Sequence, residues 1–166
     1  ILGYITVRFK KWQYGVGGVI ALFHDALITL GIFSIAYGFL PFSMDVDQAF
    51  IAAILTIIGY SINDTVIIFD RIREYDAHYH AKRPLLQIFN GAINQTLSRT
   101  FNTSITTFFV MLIIFLFGGE VIRGFMFALV LGIVVGTYSS VFLGSPLLVT
   151  IWKWQENKKM KGRGRK

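Results

Sequence analysis

Hydrophobic residues fall along this chain in long blocks separated by short polar stretches, and the block lengths read as membrane spans. A helix rises about 1.5 Å per residue, so a hydrocarbon core of about 30 Å takes about 20 apolar residues to cross. Residues 14–40 and 49–70 meet that length, and 124–151 is long enough to tilt. The apolar block at 104–117 is too short alone. To span, its helix must reach back to about Ser98, which draws Arg99 and Asn102 into or against the membrane boundary and gives a span at 98–117.

The polar stretches order these spans. Residues 1–7 are apolar but far too few to cross, so residues 1–11 are expected to be the end of a truncated span and its turn. Arg8, Phe9, Lys10, Lys11 and Trp12 form a basic and aromatic cluster suited to a cytoplasmic interface. After Pro41 come Asp45 and Asp47 without Lys or Arg, which suits the opposite side. Between 71 and 97 the apolar residues Leu85, Leu86, Ile88, Phe89, Ile93 and Leu97 recur at three- and four-residue steps. That spacing predicts an amphipathic helix on the membrane surface or against the bundle, with Pro84 near its start, where a missing N–H costs little. Gly118, Gly119 and Glu120 predict a tight outer turn. Trp152, Lys153 and Trp154 mark a second cytoplasmic interface, and 153–166 is expected to be a basic cytoplasmic tail, unstructured from Lys158 to Lys166.

Composition sharpens the picture. The 166 residues are 54% hydrophobic and the mean hydropathy is +0.60, which excludes a soluble enzyme. A net charge of +7 raises nucleic acid as a partner, but most of the excess Lys and Arg flanks the spans or lies in the tail. The membrane lipid is the partner that fits, and nucleic acid is not expected. The outer loops hold only Arg123, whereas every inner loop is basic, so a multi-pass protein with a cytoplasmic C-terminus is expected. The expected fold is an all-α polytopic membrane bundle of four complete spans plus the truncated one.

Candidate chemistry begins with Asp64. A carboxylate at the bilayer centre costs about 2.5–3.5 kcal/mol on insertion scales, so an ionisable group there is a functional hypothesis by default. Thr56, Gly59, Tyr60, Asn63 and Asp64 recur at helical steps and share a polar face, which is expected to look into the bundle. Asp64 can hold and release a proton, since burial disfavours a charged carboxylate and a nearby cation favours it. It can equally be hydrogen-bonded glue between helices. Arg99 is the candidate partner, at similar depth on the next span, or it merely snorkels to the headgroups. His24 and Asp25 form a second polar site, with Asp25 on the stripe Gly17, Ala21, Asp25 and Thr29. Adjacent side chains point about 100° apart on a helix, so a relay and a structural pair both remain open. Gly132, Gly136, Ser140 and Gly144, at four-residue intervals, let two backbones approach and predict packing. His78 and His80 are expected to be solvated. No metal, cofactor or nucleotide signature is present, and without cysteine there is no thiol site.

LFHDALITLGIF (22–33), LTIIGYSINDTVIIFDRIRE (55–74), NQTLSRTFNTSITT (94–107) and FLFGGEVIRGFMFALVLGIVVGTYSSVFLGSPLL (115–148) closely resemble, in this order, the membrane motifs of the SecF family. That family partners SecD in bacterial protein export and belongs to the resistance-nodulation-division (RND) superfamily. The resemblance covers nearly the whole chain, and GYSINDT with DRIRE is its most specific part. It implies an RND-type bundle with six spans in the whole subunit and a periplasmic domain between the first two. It also implies SecD and SecF halves about a pseudo-twofold axis, in the inner membrane, using the proton gradient to help draw preproteins from the SecYEG channel. Asp64 and Arg99, with Asn63 beside them, fall on the family's proposed proton pathway, and His24 and Asp25 match a further motif. A non-conducting scaffold of the channel is the alternative; a small-molecule exporter is disfavoured by the GYSINDT match.

Overall fold

The computed structural model describes residues 2–79 and 82–163. The described residues form helices α1 (Leu2–Phe9), α2 (Trp12–Ala36), α3 (Gln48–Tyr79), α4 (Leu85–Phe117), α5 (Glu120–Ser139) and α6 (Ser145–Arg163), with a π turn, Ser140–Gly144, joining the last two. Four stretches among them are long and apolar enough to cross a membrane: α2, α3, α4 and the combined Glu120–Gln155. The bundle is all-α and multi-pass. In lipid every backbone polar group must be satisfied within the segment, and unbroken helices do this.

The boundaries have local causes. α2 stops at Ala36, short of the expected Leu40, because Gly38 turns the chain at φ +83°. Asp47 Oδ1 accepts the Phe50 N–H at 2.9 Å and so satisfies a free donor in the first turn of α3. Pro84 precedes the first residue of α4, and Gly118 and Gly119 separate α4 from α5.

The structure refines three expectations. Of the two placements open to the amphipathic stretch in 71–97, it takes the one against the bundle: among the described residues α3 runs on to Tyr79 and α4 starts at Leu85, just after Pro84, so the apolar steps there are inner faces of two long helices. Ile72, Ile88, Phe89 and Ala92 are buried. The last span is not one regular helix but carries the π turn just before Pro146, whose ring would clash with the carbonyl four residues back. The basic tail continues α6 to Arg163 instead of losing structure; residues 164–166, like His80, lie outside the described residues.

The interior is layered. At the basic end, Ile5, Phe9, Tyr14, Phe69, Ile72, Phe89, Leu148 and Trp152 pack into one apolar cluster. At the other end, Phe33, Met44, Phe50, Ala53, Ile57, Ala128 and Leu129 form a second. Between them lies a polar layer of buried Asp25, Thr29, Ser61, Asp64, Thr65, Ser104, Ser139 and Ser140. Apolar packing alone gives little drive for helix association in lipid, so close approach and interhelical hydrogen bonds must hold this middle layer.

Candidate functional site

The polar layer is assembled on α3, which offers Ser61, Asp64 and Thr65 to three neighbours. Asp64 is 2% exposed, and its Oδ2 accepts a hydrogen bond from Ser104 Oγ of α4 at 3.4 Å. The Ser104 oxygen in turn receives the Tyr60 hydroxyl at 3.3 Å and lies 2.8 Å from Thr137 Oγ1 of α5. Thr137 also lies 2.7 Å from its own Ile133 carbonyl, so its single proton has two alternative acceptors. A hydroxyl that can rotate between partners lets this part of the network adopt more than one pattern.

A second arm lies one turn away. Asp25 is fully buried; Ser61 Oγ donates to its Oδ2 at 2.5 Å, and His24 Nδ1 lies 3.2 Å from its Oδ1. The adjacent His24 and Asp25 therefore do pair. Thr65 and Ser140 hydroxyls are 3.0 Å apart, and Ser140 donates to the Gly136 carbonyl at 2.8 Å.

Small residues on the last span make these contacts possible. A methyl on Gly136 would stand 3.1 Å from Ser61 Cβ and 3.7 Å from Asp25 Oδ2, while one on Gly132 would enter the Ile57 side chain. Gly144 faces Ala21 and Phe69, and its carbonyl is 3.7 Å from where a Gly17 Cβ would lie. The stripe Gly132, Gly136, Ser140 and Gly144 thus passes along α3 and then crosses to α2.

The other expected site residues lie elsewhere. Thr56, Gly59 and Asn63 are exposed rather than turned into this bundle, and Arg99, Asn102, Thr103 and Thr106 continue that open polar flank on α4. Helical phase groups them correctly but cannot say which face a missing neighbour covers. Arg99 makes no ion pair with Asp64; the ion pairs among the described residues involve other groups. It lines a polar pocket of about 300 Å³ with Ile67, Asp70, Arg71, Glu74, Gln95 and Thr96. His78 Nδ1 lies 3.1 Å from the Glu74 carbonyl. Ser61 and Ser104, the residues that hold the two carboxylates, lie within the quoted motifs but carry no charge to single them out. Ser61 was traceable only as an i−3 neighbour of Asp64, and Ser104 only as one hydroxyl among several on its span.

Beyond the layer, the basic end is pinned. Arg8 and Arg73 reach Asp70 at 3.4 and 2.8 Å. Lys11 reaches Asp76 at 3.4 Å and sits 4.3 Å from the Trp152 ring centre. Thus α1, α2, α3 and α6 share one charged rim.

Buried carboxylates on small-residue helix interfaces, inside a multi-pass bundle, mark this layer as the candidate functional site of a membrane protein. Residues 1–154 match the family model "Protein export membrane protein SecD/SecF, C-terminal", and the chain belongs to that family. It is 57% identical over 151 residues to the protein translocase subunit SecF of Rhodothermus marinus, covering 91% of this chain and 48% of that protein. It is 44% identical over 166 residues to the SecF of Sebaldella termitidis, covering 100% and 52%. The chain therefore spans about half the length of these relatives. Among solved structures, SecDF in its super-membrane-facing form aligns with a TM-score of 0.83 at 41% identity, over 99% of this chain and 21% of that one. The translocon-associated SecDF of Thermus thermophilus aligns with a TM-score of 0.79 at 44% identity, over 92% and 20%.

Proposed function

We propose that the chain is the membrane portion of a SecF-type translocase subunit which, with a SecD partner, uses the proton gradient to promote preprotein export from the SecYEG channel across the bacterial inner membrane. One observation carries this reading: Asp64 is buried beside a polar flank that this bundle leaves open. The Asn63 and Asn102 side chains on that flank have no hydrogen-bond partner among the described residues. Lipid does not tolerate such a surface at span depth, so a second bundle must cover it. A SecD half about a pseudo-twofold axis would do so, and α4, the least buried span, would be the contact helix. The basic rim faces the cytoplasm on the positive-inside rule.

Protonation from outside neutralises Asp64 and weakens both its hold on Ser104 and its attraction to Arg99. The helices then shift along the Gly132, Gly136, Ser140 and Gly144 stripe, and the shift passes to the rest of the subunit. Asp64→Asn is expected to reduce gradient-stimulated export in inverted vesicles to the level seen without a gradient, with the SecD complex still purifying intact. Retained stimulation would exclude the proton role. Loss of the complex would mark Asp64 as the glue of a non-conducting scaffold.

A further inference from the structure

We propose that His24, Asp25 and Ser61 form a second, separate proton-holding site, one that stores a proton between an imidazole and a carboxylate and ties α2 to α3. The Asp25 side chain has no exposed surface, and the structure gives it two partners, His24 Nδ1 at 3.2 Å and Ser61 Oγ at 2.5 Å. No lysine or arginine among the described residues pairs with it. An ionised carboxylate without a cation is not sustained at that depth, so a proton must reside on the pair. Two distributions are neutral overall, imidazolium with carboxylate and imidazole with carboxylic acid. They interconvert when the Nδ1 proton moves to Asp25 Oδ1, leaving the imidazole neutral. The site loads through His24, whose side chain is 31% exposed while Asp25 is sealed.

The surroundings isolate the pair. Along α3 the titratable groups near it are Tyr60, whose hydroxyl donates to Ser104, and Asp64, three residues past Ser61 and bonded to Ser104. On α5 Gly136 lies beside Asp25, and the buried Ser139 and Ser140 that follow are not titratable. Gly144 and Leu148 face α2 from the π turn and α6. Of the charges of α1 and its turn, Arg8 and Lys11 are engaged with Asp70 and Asp76 at the basic rim, and Lys10 is exposed. When the proton sits on Asp25 the Ser61 contact loses its charge-assisted character, which loosens α2 from α3 where Gly136 lets them meet α5. This inference rests on the proposed function and deepens it, since it adds a second site one turn from Asp64.

The test uses the full-length subunit with its SecD partner, reconstituted in lipid. Infrared difference spectra between acid and alkaline pH are expected to show one carboxylic carbonyl band changing together with a histidine ring band. Asp25→Asn should remove both, His24→Gln should shift the carbonyl band, and Asp64→Asn should leave both in place. A histidine band that titrates identically in wild type and Asp25→Asn overturns the proposal, as does a carbonyl band unaffected by either change. In export assays Asp25→Asn is expected to lower gradient-driven stimulation several-fold. Full stimulation in Asp25→Asn alongside its loss in Asp64→Asn would overturn the second site while leaving the proposed function standing. Loss of stimulation in neither variant would overturn both.

Discussion

Ser104 is the residue on which the Asp64 arm depends. It donates to the carboxylate and lies within reach of hydroxyls from two other helices. Ser104→Ala removes the donor without changing the fold's shape and leaves the carboxylate without its hydrogen bond. It is expected to lower stability by about 1 kcal/mol, read as an earlier unfolding transition in detergent. Interhelical hydrogen bonds in membranes average about 0.6 kcal/mol, so an unchanged transition would mean that Asp64 finds another partner. At this scale the sequence was partly legible. Charge in an apolar block marks Asp64, Asp25 and Arg99 unaided, because lipid makes each of them costly. Serines and threonines are cheap in spans, so the ones that hold those carboxylates do not stand out from those that bond their own helix, as Thr103 and Thr106 do.

Among helices, α5 packs tightly on α3 where Gly132 meets Ile57. Gly132→Ala places a methyl inside the buried Ile57 side chain. Overpacking of this kind typically costs about 1–3 kcal/mol. Ile57→Ala in the same chain is expected to recover part of that loss, since the two sites share one space. Thermal unfolding of both single variants and the double variant checks the coupling, and additive losses would show that the helices separate instead. Small residues at four-residue intervals made this interface readable from the sequence. The lengths of α3 and α4 were less readable. Their polar ends carry Arg71, Arg73 and Gln95, which resemble loop residues until Arg71 is seen donating to Gln95 across the helix pair at 2.6 Å.

For the molecule as a whole, two apolar clusters enclose a polar layer, and one flank of that layer lies open. The chain contains no cysteine, so single cysteines report contacts cleanly. Asn63→Cys and Asn102→Cys are expected to cross-link to matching cysteines on a SecD half, whereas Ile35→Cys, on an exposed apolar position, is not. Cross-linking at Ile35 with none at Asn63 would place the partner on another face. Span number was legible because hydrophobic length acts locally. The orientation of the Asn63 face was not, because helical phase groups polar residues without saying which of them the bundle covers. The π turn before Pro146 has one more consequence, for the counting of residues. A π turn holds one residue beyond what the flanking helices need to stay in phase. Deleting the exposed Phe142 from it should keep Leu148 and Trp152 against α2, whereas deleting the exposed Val134 a few residues earlier rotates everything after it by about 100°. The chain should thus tolerate the loss of a residue within Ser140–Gly144 better than anywhere else along its last span.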